Sequence, residues 1–296
     1  MKIDLLKRIR TIRVDTRHGR RSPHKPLLLL LSIARHFNGH ERLAAFGDVE
    51  GDLNRLIRRF GLPDSRENAH YPFWRLCNDG LWEIDRPERV RTTAGQAYIS
   101  DLREHGIRGG LPQDVLNVLD QNPDLAWRVV QSLLDEFFPP SLHEDVLRDV
   151  GLADKIDLGD LAGTKSRHEG RDRSFREVVL RAYESRCALC RLDVRVDEQP
   201  IGLEAAHIRW HSAGGPAQVA NGMALCVLHH KFFDSGLFTV SSDLTVLVGG
   251  LAVGESVEES LNKYRGLVLP VFPDRPDERP ASKYLEWHTR AVFRAT

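Results

Sequence analysis

Two short turns with the same ligand spacing constrain the fold of this chain more than any other feature. Cys187 and Cys190 are separated by two residues, and Cys226 and His229 repeat that spacing further along. Each turn aims two soft ligands at one point, and two such turns are the usual way to build a closed tetrahedral zinc site. The alternative, that these are ordinary small buried residues, does not explain the matched spacing. The sequence therefore predicts a structural zinc ion held by these four residues.

A second set of polar residues lies between and after the two turns. His207 falls in the apolar run LEAAHI, which is typical of a strand, and Asn221 follows in ANGMAL. His230 and Asp234 are four positions apart in a predicted helix over 228–237, so their side chains share one face and can ligate one divalent ion. Histidine titrates near pH ~6.5, which suits a general base, and we predict that role for His207. Asn221 is predicted to orient the loop by hydrogen bonding.

The order His207, Asn221, His230, beside the two cysteine turns, resembles the HNH nuclease family. It is most similar to the restriction-enzyme branch that carries Cys-x2-Cys pairs. The resemblance implies a ββα-metal fold, these three residues as the catalytic set, and hydrolysis of DNA phosphodiester bonds. It also implies that His230 and Asp234 hold a catalytic Mg²⁺ or Mn²⁺ ion.

The chain departs from the family pattern immediately before the predicted base. Many family members carry an Asp or His there as an extra metal ligand, whereas this chain has Ala206. Metal binding is then expected to rest on His230 and Asp234, with Glu204 as a reserve ligand on the strand face of Ala206. The alternative is a catalytically silent zinc module that only binds DNA, as in a regulator.

Two stretches in the N-terminal half also stand out, SPHKPLLLL at 22–30 and HYPFWRL at 70–76. In this order ahead of an HNH domain they resemble the sulfur-binding domain of type IV restriction endonucleases, which bind phosphorothioate-modified DNA. The DNA- and sulfur-binding residues that the resemblance implies are Arg21, His24, Lys25, Tyr71, Pro72 and Arg75.

The physical chemistry of the Tyr71 and Pro72 side chains fits a sulfur pocket. A phosphate oxygen placed against two rings that cannot hydrogen-bond loses hydration, at a cost of about 1–3 kcal/mol. The larger, less hydrated sulfur loses much less, so such a pocket selects by rejecting oxygen. A residue before proline favours extended backbone, and we expect both rings to be exposed together. The alternatives are that the aromatic residues are plain core and that His24 and Lys25 are solvated charge or a helix cap.

The length of 296 residues favours two domains. We predict an α+β protein with a mostly helical, winged-helix-like N-terminal domain at 1–155, a linker at 156–173 and the zinc-containing ββα-metal domain at 174–296. Apolar spacing and turn residues predict a short strand at 81–84. They also predict helices at 2–14, 27–37, 48–60, 94–104, 112–120, 123–137 and 282–293.

Composition restricts the partners less than the motifs do. Lys+Arg and Asp+Glu are equal at 42 each, so net charge does not indicate a nucleic-acid partner, although most of the cations are arginine, the better phosphate binder. Four cysteines, three of them in zinc spacing, favour a reducing cytoplasm. The charged N-terminus does not match a signal peptide, and the apolar run 27–31 is too short to cross a membrane.

The patterns together predict a modification-dependent DNA endonuclease that binds double-stranded DNA carrying phosphorothioate or another modification and cuts nearby. One alternative is an HNH endonuclease that depends on methylcytosine. Such readers use an aromatic pocket for a flipped base, which the Tyr-Pro pair suits less well. The other alternative is the silent zinc module. Cutting both strands with a single-site nuclease commonly takes two copies, so a homodimer stays open.

Overall fold

The structure, a computed structural model, describes residues 5–153 and 169–295. The chain divides into two compact units, Met1–Arg17 with Arg21–Ile156 and His18–Arg20 with Asp157–Thr296. Both units combine helices with short strands, which confirms the predicted α+β class. The predicted linker at 156–173 lies largely outside the described residues, and a helix already begins at Glu169.

Helices make up most of the first unit. Within the described part they are α1 Leu5–Arg10, α2 His24–Phe37, α3 Phe46–Phe60, α4 His70–Arg75, α5 Ile99–Glu104, α6 Gln113–Gln121, α7 Pro123–Phe137 and α8 His143–Val150. Two predicted helices are shorter than expected. The first ends at Arg10, and α5 begins only at Ile99 because a hairpin with left-handed residues at Ala94 and Gly95 precedes it.

Helix α2 forms the centre of this unit. Five consecutive leucines, Leu27–Leu31, are all buried, so the helix is enclosed on every side rather than along one stripe. It packs against α3, α4, α7 and α8. Each buried leucine contributes about 1.5–3 kcal/mol relative to exposure, which makes α2 the main hydrophobic anchor of the unit. The helix ends as predicted at Phe37, with Asn38 as its C-cap and left-handed Gly39 after it.

The strands of the first unit are short. They are β1 Thr16–Arg17, β2 Arg20–Arg21 (of which Arg20 is assigned to the second unit), β3 Ala44–Ala45, β4 Glu83–Ile84, β5 Thr92–Thr93, β6 Gln96–Ala97 and β7 Arg108–Gly110. Strand β7 pairs antiparallel with both β3 and β4, giving a small three-stranded sheet. The predicted strand at 81–84 corresponds to β4. The winged-helix arrangement stays a prediction.

The second unit is built on a hairpin followed by a helix. Its strands are β8 Arg195–Val196, β9 Gln199–Pro200, β10 Leu203–His207, β11 Gly222–Cys226, β12 Phe238–Val240 and β13 Val246–Val248. Its helices are α9 Glu169–Ala182, α10 Val227–Asp234, α11 Val257–Ser260 and α12 Ser282–Ala291. Strands β10 and β11 are antiparallel, with Leu203 opposite Cys226 and His207 opposite Gly222. Helix α10 begins immediately after β11, which completes a β-β-α order.

Close packing of α9 on the hairpin depends on Gly222. A Cβ atom at this position would lie 2.4 Å from Val179 and 3.1 Å from Phe175, both on α9. Only glycine allows the helix to approach the end of β11 so closely. The approach brings the Phe175 ring to the end of β10, beside His207. Within residues 5–153 and 169–295, no helix has the length and apolar character needed to cross a membrane.

Candidate functional site

The two cysteine turns meet in the second unit. One ligand atom from each of Cys187, Cys190, Cys226 and His229 lies within 4.8 Å of all the others. The Cys190 and Cys226 sulfurs are 4.0 Å apart, and the Cys226 sulfur is 3.1 Å from Nδ1 of His229. Zn–S bonds of about 2.3 Å in a tetrahedron place sulfurs about 3.8 Å apart, so this spacing fits a metal ion. In the part of the chain that the structure describes, it is the one such cluster of three or more residues.

A hydrogen bond to the backbone orients His229 as a metal ligand. Its Nε2 lies 2.8 Å from the carbonyl oxygen of Ser260 at the end of α11, to which it donates a hydrogen bond. This bond places the ring proton on Nε2 and leaves the lone pair of Nδ1 directed at the sulfurs. The carbonyl thus fixes both the tautomer and the orientation of the ring.

A second cluster of ionisable groups surrounds His230 on α10. Its Nε2 lies 3.0 Å from an Asp234 carboxylate oxygen one turn later, as their spacing predicts. Its Nδ1 lies 2.6 Å from the Glu204 carboxylate on β10. Glu204 therefore contacts the ring nitrogen of His230 that Asp234 does not, and its role as a reserve metal ligand stays a prediction.

Two carboxylates beside the His230 ring favour a positive charge at this position. Burial of the ring disfavours its charged form, but the Asp234 and Glu204 carboxylates outweigh burial and raise the pKa of His230 to about 10. The hydrogen bond that His230 donates to Glu204 lowers the pKa of the Glu204 carboxyl group. The Asp234 side chain is only 2% exposed, and its other carboxylate oxygen accepts a 2.9 Å hydrogen bond from the indole N–H of Trp210. No sequence pattern around Trp210 indicates this role.

His207 ends strand β10 on the side of α9. Its ring stacks on Phe175 with centroids 4.0 Å apart, and the His211 ring lies 6.4 Å away. Alternate strand residues point to opposite faces, so His207 and Glu204 face different sides of the hairpin. His207 thus lies on the α9 side and His230 on the α10 side, and both helices pack on β10.

Asn221 is completely buried and holds the loop that follows His207. Its side-chain oxygen accepts from the N–H of Arg209, at 2.9 Å. Its side-chain nitrogen donates to the carbonyls of Arg209 and Pro216, at 3.0 and 2.9 Å. Its own carbonyl accepts from the N–H of Ile208. These four hydrogen bonds fix the backbone directly after His207. Such bonds are what the predicted loop-orienting role of Asn221 requires.

The first unit contains a cleft of about 1400 Å³. Five of the predicted DNA- and sulfur-binding residues line it, namely His24, Lys25, Tyr71, Pro72 and Arg75. The sixth, Arg21, lies elsewhere. Its guanidinium group pairs with Glu136 at 2.9 Å and lies over the ring of Phe137 on α7.

The expected extended backbone at Tyr71 and Pro72 is wrong, because both residues lie inside α4. Proline is compatible with the first turn of a helix, where its missing N–H would have no intrahelical partner. The expectation that both rings are exposed is also wrong, since Pro72 is buried and Tyr71 half-buried. The Tyr71 ring is flanked by the His70 ring, with centroids 4.5 Å apart, and by the Arg75 guanidinium, 5.7 Å away.

With both sites described, comparison with known proteins gives the family. The family model for the ScoMcrA-like DNA sulfur-binding domain matches residues 2–155, more than half of the chain. The chain belongs to this family. A second model, for HNH endonuclease, matches residues 187–241, which hold both cysteine turns and the set from His207 to Asp234. The predicted combination of a sulfur-binding domain with an HNH endonuclease domain is confirmed.

Several solved structures are similar to this sulfur-binding chain. The sulfur binding domains of ScoMcrA and SprMcrA, each complexed with phosphorothioated DNA, are 24% and 25% identical to it. They cover 50% and 52% of this chain and 96% and 95% of their own, with TM-scores of 0.46 and 0.44. The type IV phosphorothioation-dependent restriction endonuclease ScoMcrA is 23% identical over 52% of this chain, with a TM-score of 0.43. The match covers 29% of that enzyme. None of the curated proteins matches the chain.

The cleft of this sulfur-binding domain also contains residues that sequence reasoning missed. Arg13 and Arg66 line it and are exposed, and Asn68 and His70 line it next to Tyr71. Burial lowers the pKa of His70, which favours a neutral ring. The polar run directly before Tyr71 was a signal for three of these residues. Arg13 had none, because it comes from the distant segment after α1.

Proposed function

We propose that this protein is an endonuclease that binds phosphorothioate-modified DNA in the cleft of its first unit and cuts a phosphodiester bond nearby with its HNH domain. The observation that carries the proposal is the presence, in one chain, of a DNA sulfur-binding domain and an HNH endonuclease domain. Recognition of the modification and hydrolysis of DNA are separate tasks, and each domain has the residues for one of them.

The cleft combines an apolar surface with cations. Tyr71 and Pro72 line it from one turn of α4, and Arg75 lies one turn after Tyr71 on the same helix. Sulfur loses little hydration against such rings, whereas a phosphate oxygen loses about 1–3 kcal/mol. The exposed Arg13 and Arg66 supply attraction to phosphates of any DNA. We propose that the Tyr71 and Pro72 rings recognise the modification. Arg13 and Arg66 would provide general affinity for DNA.

In the HNH domain we propose His207 as the general base that takes a proton from the attacking water. Stacking on Phe175 limits rotation of its imidazole, and the Asn221 hydrogen bonds fix the backbone that follows it. The scissile phosphate would have to reach both His207, where β10 meets the loop at 208–221, and His230, which lies beside Glu204 on the α10 side.

We propose that Nε2 of His230 and the Asp234 carboxylate hold the catalytic divalent ion, Mg²⁺ or Mn²⁺. The two groups fit an ion because they are adjacent and largely buried, and because each accepts or donates a further hydrogen bond that orients it. Glu204 accepts from Nδ1 of His230 and so directs the other nitrogen towards the ion, while Trp210 holds Asp234. A divalent ion bound there would offset the negative charge that develops on the phosphate. The Cys187, Cys190, Cys226 and His229 cluster would hold a structural Zn²⁺ ion.

The proposal is tested with two plasmid preparations that differ only in phosphorothioate modification, each incubated with the protein and Mg²⁺ or Mn²⁺. We expect cutting of the modified plasmid only. Equal cutting of both would disprove dependence on phosphorothioate, and cutting that follows cytosine methylation would favour the methylcytosine-dependent alternative. Binding of modified DNA without any cutting, under every divalent ion, would favour the silent zinc module.

A variant pair separates binding from cutting. His207→Ala should bind modified DNA like the wild type but leave it intact, because only the base is lost. His40→Ala is the matched control, since His40 is an exposed histidine of the other unit. If His207→Ala cuts at the wild-type rate, the assignment of the base is wrong.

We also propose a homodimer and a cytoplasmic location. Light scattering with and without modified DNA tests the homodimer.

A further inference from the structure

A buried carboxylate lies directly behind the DNA-binding cleft. Asp79 ends the short 3₁₀ helix Leu76–Asp79, which continues from α4. Its side chain is 4% exposed and is not part of the cleft wall. One of its oxygens lies 2.5 Å from the Lys25 ammonium nitrogen, and the other accepts a 3.0 Å hydrogen bond from the backbone N–H of Arg13. Asp79 therefore joins three segments that form the cleft.

These contacts leave Lys25 with little freedom. Its ammonium group also donates to the Arg13 carbonyl, at 2.8 Å, so two of its three N–H donors are engaged inside the protein. The Lys25 side chain is 14% exposed. A lysine held in this way, with a carboxylate in contact, adds much less to the attraction for a distant phosphate than an exposed cation does.

We propose that Asp79 is a positioning residue that limits the general affinity of the cleft for DNA phosphates. By holding and neutralising Lys25, it removes an attraction that the cleft would otherwise offer to any DNA, and discrimination is left to the Tyr71 and Pro72 surface. The inference rests on the proposed function for its meaning, because weak binding of ordinary DNA matters for a protein that acts on phosphorothioate-modified DNA. It assigns a role to a residue that contacts no DNA itself.

The variant that tests this is Asp79→Asn, which keeps the shape and the hydrogen bond from Arg13 but removes the charge. Released from its counter-ion, Lys25 should act as an additional phosphate contact. The plot of log affinity against log salt for an unmodified duplex should then steepen by about 0.9. The affinity for the phosphorothioate duplex should rise by a similar factor, because the added attraction to phosphates does not depend on the sulfur.

Two matched variants isolate the cause. Asp64→Asn makes the same change in net charge at an exposed carboxylate that lines the cleft, and it should leave the slope near the wild-type value. The double variant Asp79→Asn with Lys25→Met should return the slope to the wild-type value, because the released charge is gone. Thermal unfolding confirms that each variant is folded.

The outcome separates a positioning role from a structural one. A structural role of Asp79 would weaken binding to both duplexes without a steeper slope, and that result overturns the proposal. Equal slopes for Asp79→Asn and Asp64→Asn overturn it as well. The slope is measured on unmodified DNA, so it reports on Asp79 even if the wild type shows no preference for phosphorothioate. That last result would instead refute the proposed function.

Discussion

The hydrogen bond from Trp210 to Asp234 gives a prediction whose size follows from the structure. The Trp210 indole is 2% exposed, and its N–H donates to a carboxylate that is almost completely buried. Trp210→Phe removes this donor and keeps an aromatic ring, including a face for the Arg20 guanidinium that lies 4.3 Å from the Trp210 ring centroid. The variant removes one hydrogen bond to a buried carboxylate.

The magnitude is obtained from a comparison with a neighbouring tryptophan. Trp287 packs against Trp210 in the same small cluster, with centroids 6.0 Å apart, but its buried indole N–H has no acceptor among the described residues. Trp287→Phe therefore removes the same atoms without removing a hydrogen bond. A hydrogen bond to a charged group contributes about 1.5–3 kcal/mol. Trp210→Phe should lower the free energy of unfolding of the second unit by that much more than Trp287→Phe.

The assay is a urea titration of the full chain read by hydrogen exchange of the α10 peptide, Val227–Asp234. This readout reports the stability of the second unit separately from that of the first. Calorimetric titration with Mn²⁺ should also show weaker binding for Trp210→Phe than for Trp287→Phe, since Asp234 is less well oriented. Equal losses of stability in both variants would refute the reasoning, because the hydrogen bond would then contribute nothing measurable.

Three further predictions concern the zinc cluster, the sulfur pocket and a buried histidine. Cys226→Ala should lower the zinc content measured by elemental analysis and the unfolding temperature of the second unit, because one of four ligands is lost. Tyr71→Ala should reduce the preference for phosphorothioate over unmodified DNA by about 1–3 kcal/mol in binding assays, because the apolar wall is lost. Burial lowers the pKa of His288 to about 3, well below the value in an unfolded chain. The unfolded state therefore binds more protons below pH ~6.5, and wild-type stability should fall with decreasing pH by up to about 1.4 kcal/mol per pH unit relative to His288→Gln.

Each of these three predictions has a result that would contradict it. Cys77→Ala removes a cysteine outside the cluster, so a matching loss of zinc there would reject the assigned ligands. Tyr98→Ala removes an exposed tyrosine of the same unit, and an equal loss of preference would show that the effect is not specific to the pocket. Parallel stability curves for the wild type and His288→Gln between pH 7 and pH 4 would mean that His288 is not held neutral.

Sequence patterns were sufficient where function is encoded over a few residues. The two-residue spacing in each cysteine turn and the four-residue spacing of His230 and Asp234 predict ligands that the structure does bring together, because backbone geometry over one turn is nearly fixed. Local preference failed at Tyr71 and Pro72. The tendency of a residue before proline to be extended is weaker than the packing that folds this segment as the first turn of a helix.

Tertiary structure alone decided which distant residues support these groups. Trp210 donates a hydrogen bond to Asp234, and Glu204 accepts one from Nδ1 of His230. Asp79 forms an ion pair with Lys25. The two residues of each pair are well separated along the chain. Arg21, which resembles a DNA-binding cation in the sequence, is instead paired with Glu136 of a distant helix. A side chain's partner depends on where the folded backbone places other polar groups. Residue type determines what a side chain can bind, and the fold determines what lies within its reach.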